Sequence, residues 1–337
     1  MYDQLLQLDP VRINFSKGGM DTINIVLAFV MFGVALGIRP AMFKEVFTKP
    51  KAFITGAVSQ WVLLPAVTYL IVMILNRWIT PMVAMGMILV ASCPGGNISN
   101  FITAFSKGNR ELSVSLTAFS TLFAPISTPA NFAIWGGLYV RFLNKHAAGA
   151  LVPLAIPFWE MFKTVFILLG IPLVLGMLCT HFLPKVANAL KKPLQYLSIV
   201  FFIAMVVLAF AQNLKLFLHY IQWIFLIVLL HNACALGTGF GSASLMKTSL
   251  RDRRTITIEV GIQNSGLGLI LLFNPKLFPL TLQNGGMLFV TAWWGVWHII
   301  AGLTVAMIFR LKKLPPEEAA LEADFPSTPA APTAPQA

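Results

Sequence analysis

Nine runs of mostly apolar residues dominate this sequence, at about 21–38, 52–75, 81–106, 111–140, 155–183, 195–213, 220–244, 254–273 and 283–310. A helix that crosses a bilayer needs about 20 such residues. Lipid offers no partner to a backbone N–H or C=O, so runs of this length leave the α-helix as the way to span it. The expected fold is therefore an all-α polytopic membrane protein with nine transmembrane helices. Composition agrees: 57% of residues are hydrophobic and 11% charged, against roughly 25% charged in a soluble domain.

The formal charge of +12 would suit a nucleic-acid binder, but the basic residues lie in loops between the runs rather than on one polar face. Their distribution sets an orientation instead. Arg39, Lys44, Lys49, Lys51, Lys107, Arg110, Lys185, Lys191, Lys192, Lys247, Arg251, Arg253, Arg254, Arg310, Lys312 and Lys313 fall on one side. The other side holds Arg12, Lys17, Arg77, Arg141, Lys145, Lys215 and Lys276. The positive-inside rule puts the C-terminus in the cytoplasm and residues 1–20 outside a cell inner membrane. No cleavable signal peptide is visible. The tail 314–337 is rich in Pro and Ala and is expected to be disordered and cytoplasmic. Cys93, Cys179 and Cys234 all sit within apolar runs, which implies no disulfide framework and no paired metal spacing.

Glu259 is an acidic residue in the middle of such a run, between Thr255-Ile256-Thr257-Ile258 and Val260-Gly261-Ile262-Gln263-Asn264-Ser265-Gly266. A carboxylate at bilayer depth is costly unless solvated, paired or bound to a cation, and marks a functional site. The glycines and polar residues that follow predict that the helix breaks there. Ser92-Cys93-Pro94-Gly95-Gly96-Asn97-Ile98-Ser99-Asn100 predicts a second break in the third run, since Pro94 removes a donor and disfavours helix before it while two glycines let the chain leave helical geometry. The breaks occupy corresponding positions in two repeats, about 21–140 and 155–313. An odd number of spans in the ancestral unit makes the repeats inverted, so the two discontinuous helices can cross at the midplane, the pattern of secondary transporters.

The strings Cys-Pro-Gly-Gly-Asn-Ile-Ser-Asn at 93–100, Glu-Leu-Ser-Val-Ser-Leu-Thr at 111–117 and Ile-Glu-Val-Gly-Ile-Gln-Asn-Ser-Gly at 258–266 closely resemble the bile acid:sodium symporter family. So do Leu230-His231-Asn232 and Val296-Trp297-His298. The resemblance spans roughly residues 25–310 and implies a bacterial member that lacks the first helix of the ten-helix form. It implies a panel domain, a core domain and two sodium ions bound as co-substrates near the crossing. The first sodium site implied is Ser99, Asn100, Ser113, Thr117 and Glu259; the second is Gln60, Glu259, Val260, Ile262 and Gln263, with Val260 and Ile262 contributing carbonyls. The residues suit this chemistry. Ser113 and Thr117 are i, i+4 and share a helical face, and a hard cation prefers such oxygens. Alternatively, Ser and Thr bond back within their own helix, and Gln60 serves as interhelical glue.

The substrate, a small organic anion such as pyruvate or pantoate, is expected against Gly95, Gly96, Asn97, Asn264 and His298. Asn97 and Ile299 replace the Thr and Asn of the better-known bacterial type in the expected substrate region, which leaves the substrate's identity open; a bile acid entering a wide crevice between the domains is the alternative. An arsenite-type permease using Cys93 and a proton-coupled exchanger titrating Glu259 are further alternatives. His231-Asn232 reads as a helix-packing pair, with a gating role as the alternative, and Glu160 with Lys163 as an interfacial ion pair. No metalloprotease or nucleophile–base spacing suggests an enzyme. Membrane lipid and the transported anion are the partners expected, with no nucleic acid and no obligate protein partner.

Overall fold

A computed structural model describes residues 1–11, 17–37, 50–146, 158–211, 214–274, 277–279 and 282–318. The chain is all-helical: α1 Tyr2–Leu6, α2 Lys17–Ala35, α3 Pro50–Leu75, α4 Pro81–Ser92, α5 Ile98–Phe105, α6 over 110–146, α7 Phe158–Phe182, α8 Pro184–Ala211, α9 Leu214–Leu245, α10 Leu250–Gly261, α11 Ser265–Phe273 and α12 Gly285–Leu311. Among the described residues the only strand-type pairing is an isolated antiparallel bridge between Gly95 and Gln263. Four helices, Pro50–Leu75, Phe158–Phe182, Leu218–Leu245 and Gly285–Leu311, are long and apolar enough to cross a membrane. Large apolar side chains stand exposed along α3 (Ile54, Val58, Val62, Leu70, Ile74) and α7 (Ile167, Val174, Leu175, Leu178), as a lipid-facing surface requires. The protein is a multi-pass membrane protein.

Local sequence explains several helix starts. Thr80 caps α4 by accepting from Val83 N at 3.3 Å, Asn109 caps α6 through Leu112 N at 3.1 Å, Ser249 caps α10 through Asp252 N at 3.0 Å and Asn264 caps α11 through Leu267 N at 3.0 Å. Such side chains satisfy N–H groups that the first turn leaves orphaned. Both expected breaks are present. Cys93 is extended (φ −72°, ψ 157°) ahead of Pro94, and Ile262 is extended (φ −115°, ψ 101°) after Gly261. In α3 the turn Ser59–Leu63 widens to π geometry just ahead of Pro65, which has no N–H for the Trp61 carbonyl.

Two loop assignments need correction. Helix α8 begins at Pro184, so Lys185, Lys191 and Lys192 lie on its first turns rather than in a loop; proline is favoured at a first helical position, where its missing N–H costs nothing. Arg251, Arg253 and Arg254 likewise belong to α10, which the Ser249 cap starts early. The loop carrying Arg39, Lys44 and Lys49, and the tail beyond Glu318, lie outside the described residues. Glu318 itself accepts from Leu250 N at 3.0 Å and Arg251 N at 2.8 Å, an anion at the positive end of α10.

Glycines set the close contacts between helices, as in membrane bundles. A Cβ on Gly239 of α9 would lie 2.7 Å from the Ile256 carbonyl of α10, and one on Gly86 of α4 would lie 2.8 Å from Met287 Cα of α12. Helices α2, α7 and α8 pack mainly on one another. Glu160 and Lys163 form the expected i, i+3 pair at 3.1 Å, largely exposed, a geometry that contributes little stability.

The N-terminal segment tucks against the bundle, burying Leu5 and Leu8 completely. It places Asp9 between two helix starts. The Asp9 carboxylate accepts from Thr80 Oγ1 at 3.2 Å and its carbonyl from Gly285 N at 3.1 Å. Burial pushes the Asp9 carboxyl up to about 7, outweighing the lowering by hydrogen bonds from Thr80 and the Gly286 backbone. An acid whose folded pKa lies above its ordinary value binds its proton more tightly when folded. Its contribution is fully present below about pH 4 and is lost as pH rises through about 7. Asp9→Asn keeps an acceptor but cannot titrate, so wild type is expected to lose melting temperature relative to this variant between about pH 5 and about pH 8. Parallel pH profiles for the two proteins in detergent would refute this.

Candidate ion and substrate site

Glu259 sits in the last turn of α10 and is 3% exposed. Hydroxyls from two other helices converge on it. Ser99 of α5 donates to Oε1 at 2.6 Å, Ser113 of α6 donates to the same oxygen, and Thr117 of α6 donates to Oε2 at 2.9 Å. Asn100 completes the group, its Oδ1 lying 2.9 Å from Ser113 Oγ and 3.4 Å from Thr117 Oγ1. All five residues expected for the first cation site are thus in one network. The reading in which Ser113 and Thr117 merely bond back to their own helix does not describe them, since both face Glu259. Among the described residues no basic side chain pairs with Glu259, and no cluster of three or more His, Cys, Asp or Glu forms a metal-binding group. The donors are hydroxyl, amide and carboxylate oxygens, which suit a hard cation.

The residues expected for the second site form an adjoining network. Gln60 and Gln263 exchange amide hydrogen bonds of 2.7 and 3.2 Å, and Gln263 Nε2 also donates to the Val260 carbonyl at 2.8 Å. Gln60 Nε2 reaches the Cys93 carbonyl at 3.4 Å, so this amide of α3 touches both breaks. The Ile262 carbonyl accepts from Gly96 N at 2.9 Å, and the Pro94 carbonyl from Asn264 N at 2.8 Å. These two bonds flank the Gly95–Gln263 bridge and satisfy backbone groups that broken helices would otherwise leave bare. Gly96 permits the approach: a Cβ there would lie 3.0 Å from the Gln263 carbonyl oxygen. Gln60 and Glu259 line one small crevice together with Gly56, Ala57, Trp61, Leu116, Phe119 and Ser120.

The expected substrate residues are only partly gathered. Gly95, Gly96 and Asn264 meet at the crossing, and Asn97 stands exposed at the start of α5. Some of their hydrogen-bonding capacity is already engaged: Gly95 N donates to Ser120 Oγ at 3.3 Å, and Asn264 Oδ1 caps α11. His298 is buried on α12 with Nδ1 unpartnered, and no hydrogen bond links it to the crossing among the described residues. It shares a helical face with Gly302, where a Cβ would lie 2.7 Å from Ile262, so α12 presents that face to the second break. The Cys93 thiol is buried, with Sγ near Gly268 of α11.

One residue at the crossing, Ser120, lies outside the set expected from the sequence, although it extends the Ser113–Thr117 stripe by one more turn. Asn232 of α9, expected as half of a helix-packing pair, donates to the Gly261 carbonyl at 2.7 Å, a partner that nothing local in the sequence signals. Its neighbour His231 pairs with Thr68 at 2.8 Å and packs on Trp294 at 4.5 Å between ring centroids.

The profile of the sodium bile acid symporter family matches residues 24–220, more than half of the chain. The chain belongs to the sodium bile acid symporter family. The match takes in the first break and Ser99 through Thr117 and ends before Glu259. A sodium-dependent transporter of Bacillus subtilis, YocS, described as uncharacterized, is 31% identical over 86% of this chain and 83% of its own length. A rice chloroplast protein named as a probable sodium/metabolite cotransporter is 28% identical over 87% of the chain, and rat sodium/bile acid cotransporter 5 is 26% identical over 80%. The chain spans 66% and 59% of those two longer proteins. As a member of this family it is a sodium-dependent membrane transporter of a small molecule, not an enzyme.

The close approach at the crossing is testable. Gly96→Ala is expected to destabilise the protein by about 1–3 kcal/mol, read as a lower melting temperature in detergent. Gly237→Ala, where a Cβ meets nothing within 4 Å, is the matched control and should change little; equal effects of the two would contradict the packing described.

Proposed function

We propose that this protein is a symporter that uses sodium to import a small organic monocarboxylate, such as pyruvate or pantoate, by alternating access. The observation that carries the reading is the Glu259 carboxylate, buried where two broken helices meet and surrounded by Ser99, Ser113 and Thr117. The proposed architecture is nine spans in two inverted repeats, with α4–α5 and α10–α11 as the crossing pair and α2, α7 and α8 as the panel. One sodium ion takes oxygens of Ser99, Asn100, Ser113, Thr117 and Glu259. A second takes those of Gln60, Glu259, Val260, Ile262 and Gln263.

Ion binding at these places trades one set of contacts for another. The three hydroxyls give hydrogens to Glu259; rotating them turns lone pairs toward a cation while its charge replaces their hydrogen bonds. The Gln60–Gln263 amide pair and the Val260 carbonyl can exchange in the same way. A shared carboxylate links the two ions, since each is drawn partly to the same charge. Two sodium ions and one monoanion leave the loaded site neutral with Glu259 ionised. The return step then carries the carboxylate's charge, so one positive charge enters per cycle and a negative-inside potential adds about 2.3 kcal/mol per 100 mV.

The anion is placed beside the crossing near Gly95, Gly96, Asn97, Asn264 and His298. A metabolite substrate follows the name of the rice relative, whereas the rat relative's name favours a bile acid. Reconstitution in liposomes with a sodium gradient separates these. Uptake of labelled pyruvate or pantoate that rises with an inside-negative potential, and is not outcompeted by a bile acid, is the expected result. Uptake that ignores sodium and follows a pH gradient would overturn it, and loss of transport in Cys93→Ser would favour thiol chemistry instead. Glu259→Ala is expected to fold and to lose sodium-dependent uptake.

A further inference from the structure

We infer that Asn232 of α9 is a positioning residue for the second sodium site, holding the unwound end of α10 so that its neighbouring carbonyls face the ion. The inference rests on the sodium-site reading above and adds to it a residue that reaches the ion only through the backbone. Helix α10 ends at Gly261, and its last carbonyls have no partner within the helix. The three carbonyls at this end find partners elsewhere: Val260 O accepts from Gln263 Nε2 at 2.8 Å, Gly261 O from Asn232 Nδ2 at 2.7 Å and Ile262 O from Gly96 N at 2.9 Å. The first and third of these bonds come from the crossing itself, where Gln60, Gln263 and the first break lie. The second is made to a different helix.

The directions follow from the backbone. Ile262 is extended (φ −115°, ψ 101°), and in extended chain successive carbonyls point to opposite sides. Fixing the Gly261 carbonyl toward α9 therefore turns the Ile262 carbonyl toward the crossing. Asn232 is 1% exposed, and its amide makes this single donor bond with Oδ1 unpartnered, so the side chain is dedicated to that carbonyl. The grip has a second contact one turn on: a Cβ at Gly261 would lie 2.3 Å from Leu236 Cδ2, and Leu236 is i+4 from Asn232 on the same face. Helix α9 thus seats Gly261 from two successive turns. Without the amide, the Gly261 carbonyl is a buried acceptor with no partner, and the segment from Val260 to Gln263 is free to rotate toward another donor.

Groups that orient metal ligands without touching the metal typically alter affinity about ten- to a hundred-fold when removed. The test is purified Asn232→Leu, which keeps similar bulk and lacks the donor, with Asn232→Ser as a smaller variant whose hydroxyl is too short to reach. The half-saturating sodium concentration for uptake is expected to rise about ten-fold in both, while substrate KM at saturating sodium changes less than about two-fold. The sodium-induced rise in melting temperature, which needs no transport, should shrink in parallel. Unchanged sodium half-saturation, or a lower maximal rate alone, overturns the inference and leaves Asn232 as a packing residue. A shift confined to substrate KM also overturns it and moves Asn232 to the anion pocket. If wild type itself shows no sodium-induced stabilisation, the underlying sodium-site reading fails, which is distinct from failure of the Asn232 variants alone.

Discussion

A bilayer offers no hydrogen-bond partners, so every backbone group released where a helix breaks must be matched inside the protein. The structure meets that constraint by letting the two breaks satisfy each other. Gly96 N binds the Ile262 carbonyl, and Asn264 N binds the Pro94 carbonyl, on either side of the Gly95–Gln263 bridge. Neither break is viable alone at that depth. Much of the surrounding geometry follows from it: the glycines at the contact, the Asn264 cap that restarts α11, and the Gln60 amide that touches both segments from α3.

The same arrangement brings Glu259 to the one place where its charge can be tolerated. A carboxylate at the bilayer centre costs a few kcal/mol or more, and three hydroxyls offset part of that cost without neutralising it. Hydroxyls are suited to the task because they can give a hydrogen to the carboxylate or a lone pair to a cation. A lysine or arginine partner would pair with the charge permanently and leave nothing for an ion to do. The polar groups around the crossing are therefore exchangeable ones, in keeping with a transporter whose binding must be reversible.

The breaks and the carboxylate were legible in the sequence because their causes are local. Pro94 with Gly95 and Gly96 interrupts any helix, and a lone Glu259 within an apolar run stands out on cost alone. Ser113 and Thr117 were legible from their spacing, and the same spacing extends to Ser120. The partners that lie far apart in the chain were not legible. Nothing near Asn232 points to the Gly261 carbonyl, nothing in the Pro-rich tail marks Glu318 as the residue seated on the first N–H groups of α10, and Asp9 looks like an ordinary polar residue until Thr80 and Gly285 are beside it. The starts of α8 and α10 differ from the sequence expectation for a related reason: basic residues suggest loop, while Pro184 and the Ser249 cap start the helix before them.

The central claim is that Glu259 is the charged ligand common to the bound sodium ions. Equilibrium binding of radiolabelled sodium to the purified protein in detergent tests it without dependence on the transported anion. The account predicts saturable binding approaching two ions per chain in wild type and its loss in folded Glu259→Gln. Sodium binding in Glu259→Gln equal to that of wild type would contradict it.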